Sequence, residues 1–214
     1  MSNQERALFR FNDVPVVARP SFWLMPFLLW GLLVWLAGKS RPGRSLPQRL
    51  LLGALATPIP LSADIGHALA HTVSARLANA PMDRIRLAAD MPRTLYDNND
   101  VPPRTHQIRA LGGPIFSALG LLFSLRWRQQ TPAGSIRREL ATLSCLSHGF
   151  IFSGSLAPLP IVDGGTLLKW QLVKQGHTPA GADQTLRRLN LALGGGLLAL
   201  LALLVALRQR RAPH

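Results

Sequence analysis

Asp64, His67 and His71 lie in the segment SADIGHALAHTV (62–73), inside a long apolar stretch. Their spacing puts all three on one face of a helix, so their side chains can converge. Two imidazoles at i and i+4 can share a tetrahedral metal, and a carboxylate can complete the set. A distant carboxylate is available in Asp163, which follows SLAPLPIV and precedes Gly164-Gly165. A proline-rich approach and a glycine turn leave it little conformational freedom. The same pattern also fits polar residues lining a packed helix face, and Asp-Gly-Gly alone is an ordinary turn. Clustering favours a functional centre, because ionisable groups at membrane depth are costly and need partners. His148 is expected to pack outside that centre. The lone Cys145 has no internal disulfide partner and reads as a small core residue.

The elements that must position these groups read as membrane helices. The chain of 214 residues is 48% apolar and only 16% charged, below the roughly 25% charge usual in soluble domains. Residues 21–37 form an uncharged run with Trp23 and Trp35 near its ends, as in an interfacial aromatic belt. A second apolar segment, 50–77, contains Pro58 and Pro60 and predicts a broken or kinked span whose second half holds the polar trio. Segments 110–125, 139–165 (a helix ending in a Pro-rich extended stretch and a turn) and 189–207 complete about five spans. Gly112, Gly113, Ser117 and Gly120 in the third of these are small enough to let helices approach closely.

Residues 79–109 break the apolar pattern as a polar excursion, in which RIRLAA and RTLY read as short strands and DNND and VPP as turns. The fold class expected is an all-α integral membrane protein. It is a single domain over 1–214, a bundle of about five transmembrane helices with a small strand and loop excursion between the second and third. The formal net charge of +14 would suggest nucleic acid in a soluble protein. Here the basic residues flank apolar runs, as in GKSRPGRSLPQR and the final RQRR. They point to a lipid bilayer as partner rather than nucleic acid. Basic density in loops 38–49 and 126–138 favours an outside N-terminus.

Four blocks in order carry a resemblance. VPVVARPSFWLMP, ADIGHALA, ALGGPIFSALG and SLAPLPIVDGG are similar to the blocks of the site-2 protease family of intramembrane zinc metalloproteases. That family carries H-E-x-G-H on one membrane helix and N-x-x-P-x-P-x-L-D-G-G after a later one. In it, both His and the later Asp bind zinc and the Glu is the general base.

The resemblance implies zinc as cofactor, a membrane-protein or peptide substrate, and a multi-pass location in a prokaryotic-type cell membrane. It makes His67 and Asp163 metal ligands and Asp64 the catalytic carboxylate, one methylene shorter than the family's Glu. Ser155, Pro158 and Pro160 match the substrate-binding stretch, with Ser155 in place of Asn. Ala63 stands where the first ligand His belongs, so the site is one ligand short unless His71, one turn beyond His67, is recruited. In that shifted register the place of the usual base is Ala68. Two further readings stay open: a catalytically inactive pseudoprotease that binds or scaffolds membrane proteins, and, more weakly, a transporter built around buried Asp and His.

Overall fold

The computed structural model describes residues 5–210, so the last arginine of the basic tail, Arg211, lies outside the described residues. The chain is mostly helical, with seven α-helices and one small four-stranded sheet among the described residues. Strands β1 (Arg6–Phe11) and β2 (Val14–Ala18) form an antiparallel hairpin whose turn residues, Asn12 and Asp13, both have positive φ. Two left-handed residues in a two-residue loop match the twist of paired strands, and Asn and Asp tolerate that conformation best after Gly. A 3-10 turn at Pro20–Trp23 leads into α1 (Leu24–Ser40).

Helix α2 (Leu46–Ala56) starts at a capping box, in which Ser45 and Gln48 satisfy each other's backbone donors, and it packs back against α1. The chain breaks at Thr57 and continues as α3 (Pro58–Leu77), so the expected break falls at the proline pair. Strands β3 (Arg84–Leu87) and β4 (Arg93–Leu95) follow, and then come α4 (Pro103–Gln130) and α5 (Ile136–Ser155). A turn leads to α6 (Asp163–Lys174) and finally to α7 (Pro179–Arg210).

The strands expected in the excursion do not stand alone, and one boundary needs correction. The sheet order is β1-β2-β3-β4, and β2 pairs in parallel with β3, so the N-terminal hairpin and the excursion build one sheet. The excursion is also shorter than expected, because α4 begins at Pro103 rather than near 110. Proline suits the first helical position, where its missing N–H costs nothing.

Three helical segments are long and apolar enough to cross a membrane: Pro20–Ser40, Pro103–Gln130 and Pro179–Leu204. They correspond to three of the five expected spans. The other two expected segments fall in α2–α3 and α5. Large apolar side chains such as Phe27, Phe123 and Phe150 are at least 70% exposed, which suits lipid rather than water. The chain is a membrane protein in which the sheet covers one side of α3. Val14, Val16 and Ala18 of β2 and Ile85 and Leu87 of β3 pack on Ala68 and Ala75 of α3, with Ile65, Leu69 and Tyr96 at the margin. The opposite side of α3 is left to face α4.

Candidate metal centre

Helix α3 carries two faces in register. Positions 65, 68, 72 and 75 turn to the sheet side, with Thr72 tied to the hairpin by Asn12 Nδ2 at 3.1 Å. Positions 67, 71 and 74 follow the i, i+4, i+7 rhythm and face α4. There His71 Nδ1 is 2.8 Å from the Arg109 carbonyl, and Ser74 donates to the same oxygen at 2.9 Å. A carbonyl only accepts, so His71 Nδ1 carries a hydrogen and its Nε2 is turned toward Asp163. His67 Nδ1 lies 2.9 Å from Ser117 Oγ. Both imidazoles thus have their outer nitrogens engaged by α4 and their inner ones turned toward Asp163, the arrangement that orients histidine ligands.

The inner nitrogens converge on one carboxylate. His67 Nε2 is 3.1 Å from Asp163 Oδ2, His71 Nε2 is 3.3 Å from Asp163 Oδ1, and the two Nε2 atoms are 3.4 Å apart. With one oxygen taken from Asp163, the three donor atoms still lie within 4.8 Å of one another. Tetrahedral zinc with bonds of about 2.0–2.1 Å places neighbouring ligand atoms about 3.3 Å apart. The 3.4 Å between the two Nε2 atoms matches that spacing, the short carboxylate contacts go to different oxygens of Asp163, and the set of two imidazoles and a carboxylate matches catalytic zinc chemistry. His67, His71 and Asp163 therefore fit a metal.

Two close approaches make the triangle possible. At Gly113 of α4 an added Cβ would strike the Nε2 atoms of both His67 and His71, so only a residue without a side chain leaves the centre open. Asp163 begins α6, where the helix N-terminus favours a negative charge. The preceding loop folds tightly over that terminus: a Cβ on Gly165 would meet the Leu159 carbonyl oxygen. Helix α6 is held to α4 by the His106–Trp170 stack, with ring centroids 3.8 Å apart, and by Gln107 Nε2 donating to Gln171 Oε1 at 3.2 Å.

The centre opens on a cavity of about 920 Å³. Asp64, His67, Ala68 and His71 of α3 line it together with Ser155, Asp163, apolar residues of α1 and α5, and the run Arg93-Thr94-Leu95 of β4. Asp64 thus reaches the same space one turn before His67, while Ala63 is buried and takes no part. Pro158 and Pro160 do not line the cavity. The stretch around them is a turn, closed by Leu159 N donating to the Ala157 carbonyl at 2.8 Å, and the Pro158 carbonyl accepts from Asn190 Nδ2 at 2.8 Å. An outer strand edge beside the cavity belongs to β4, the last strand of the sheet.

His148 stays outside the centre, packed toward Phe116 and Gly120, with Nδ1 buried and without a protein partner. Sequence reasoning counted Ser117 only as a small packing residue and passed over Arg109. Their contacts to the histidines span 50 and 38 residues, so no local pattern signals them.

No protein-family model matches this chain, and no curated protein sequence matches it. Its structure is similar to that of the site-2 protease from Methanocaldococcus jannaschii, with a TM-score of 0.56 and 17% sequence identity. The similarity covers 95% of this chain and 88% of that one. The chain therefore has a distant site-2-protease-like fold, and at that identity the likeness speaks for the fold alone.

Proposed function

We propose that this protein is a membrane-embedded metalloprotease-like protein that binds zinc through His67, His71 and Asp163 and acts on membrane-protein substrates. The observation that carries this reading is the convergence of both imidazoles on one carboxylate: His67 Nε2 is 3.1 Å from Asp163 Oδ2, His71 Nε2 is 3.3 Å from Oδ1, and the two Nε2 atoms are 3.4 Å apart. On this reading the ligand set has slipped one helical turn along α3 relative to the H-E-x-G-H register. His71 takes the place vacated at Ala63. When bound, such a metal polarises a peptide carbonyl and makes water nucleophilic near neutral pH.

The chain's own residues supply the remainder. Asp64, in the same cavity, is the group available to accept a proton, since the usual base position is Ala68. Strand β4 offers unpaired backbone groups to an extended peptide, with Arg93, Thr94 and Leu95 in the cavity wall and Ser155 across it. The apolar side chains of α1 and α5 exclude water around such a segment.

A second reading, a binding protein without catalysis, is favoured by Ala68 alone: a metal here lacks its customary neighbouring base. Purified protein, incubated with a helix-destabilised membrane peptide and analysed by mass spectrometry, separates the two. The proteolytic reading expects metal-dependent cleavage that Asp64→Asn abolishes. Metal-loaded protein that binds the peptide and leaves it intact supports the second.

A further inference from the structure

Arg109 is 5% exposed, yet it sits three residues beyond the first turn of α4 and reaches back into the polar excursion. Its Nε donates to the Ala80 carbonyl at 2.9 Å, just before β3, and its Nη1 donates to the Asn98 carbonyl at 3.2 Å, just after β4. The guanidinium lies 4.2 Å from the Tyr96 ring centroid, at cation–π distance. One side chain therefore grips both ends of the β3–β4 hairpin. The main-chain carbonyl of the same residue accepts from His71 Nδ1 and Ser74 Oγ.

We infer that Arg109 is a positioning residue that couples the strand wall of the cavity to the metal ligand His71. This rests on the metal-binding reading above. The planar fork of guanidinium donors is what allows two carbonyls on different chain segments to be held at once, and a lysine ammonium on its flexible stem does not reproduce it. A shift of the hairpin root moves the Arg109 backbone, and with it the oxygen that fixes the tautomer and tilt of His71. Conversely, a metal that locks His71 firms the hairpin whose last strand lines the cavity, since coupling between two sites is reciprocal.

The test uses full-length protein in detergent with cobalt(II) as the probe. Three quantities are read in wild type, Arg109→Lys and Arg109→Met: cobalt affinity, the visible absorption band of the bound ion, and deuterium uptake of residues 93–98 with and without cobalt. The wild type is expected to bind cobalt and to lose deuterium uptake in 93–98 when it does. Arg109→Met should weaken binding by about 10–100-fold, as loss of ligand-orienting contacts typically does. It should also shift the band and abolish the cobalt-dependent protection.

Arg109→Lys keeps the charge without the fork and decides the matter if the Met variant does not fold. Weakened cobalt binding together with lost protection supports the inference. Wild-type affinity, band and protection in the Lys variant overturn it. A wild type that takes up no cobalt overturns the metal-binding reading itself, a result distinct from normal binding that Arg109 does not affect.

Discussion

The Nε2 atoms of His67 and His71 stand 3.4 Å apart on adjacent turns of α3, each with its Nδ1 already engaged by α4. Their remaining nitrogens face one another and the same carboxylate, an arrangement that requires a proton or a metal ion between them. This relationship underlies the predictions below.

Gly113→Ala places a methyl against both Nε2 atoms. The variant is expected to lose metal while retaining helical content, with an overpacking cost of about 1–3 kcal/mol. Metal analysis and thermal unfolding of the detergent-solubilised protein check both parts. Undiminished metal in this variant would mean that the imidazoles bind elsewhere than toward α4.

Ser117→Ala removes the hydroxyl 2.9 Å from His67 Nδ1 and leaves a buried imidazole nitrogen without its partner. Metal affinity should fall by about 10–100-fold, with Ser117→Thr largely restoring it. Competition with a chromophoric chelator gives the number. Equal affinities across the three proteins would show that Ser117 only fills space.

Ala63→His with Asp64→Glu recreates H-E-x-G-H. On the shifted register proposed above, His71 supplies the third ligand, so the double variant is expected to hold the same single zinc as the parent. It should also be less stable by about 1–3 kcal/mol, since Ala63 is 1% exposed and an imidazole overpacks that position. A rise from no zinc to one zinc per chain on making the double change would instead establish the family's register.

Tyr96, at the hairpin root, has its phenol pushed up to about 12 by burial, against the opposing pull of the Arg109 charge. Its folded pKa lies above the unfolded value of about 10, so the stabilisation is complete below pH 10 and is lost as pH rises toward 12. About 2–3 kcal/mol should disappear across that window. Denaturant midpoints from pH 9 to 11.5 should slope down in the wild type and be flatter in Tyr96→Phe. Parallel slopes would place the phenol in water.

Much of the helical frame was legible in the sequence. Apolar runs bounded by basic loops marked α1, α4 and α7, and Pro58 marked the break before α3. The short strands RIRL and RTL stood out as alternating segments between turn residues. Strand β1 did not, because RALFRF has no regular alternation of apolar and polar residues and sits in an otherwise polar N-terminal stretch. The Asn12-Asp13 turn was its available signal. The start of α4 was hidden because a Pro-Pro pair serves equally as a turn and as a helix N-terminus.

At the site, the i, i+4 pair and the distant Asp163 were visible as candidates, and the missing ligand at Ala63 was plain. What orients the His71 ring is a carbonyl on another helix, and main-chain atoms leave no mark in residue identity. That Pro158 and Pro160 form a turn away from the cavity lining was hidden for a similar reason. Proline favours extended strands and turns alike, and the close approach of Gly165 to the Leu159 carbonyl selects the turn.

The most direct measurement is the zinc content of the protein purified from membranes, taken for the wild type, His67→Ala, His71→Ala, Asp163→Ala and His148→Ala. One zinc per chain is predicted in the wild type and in His148→Ala, with loss of stoichiometric zinc in each of the other three. Full zinc in His71→Ala, or no zinc in the folded wild type, would contradict the shifted ligand set.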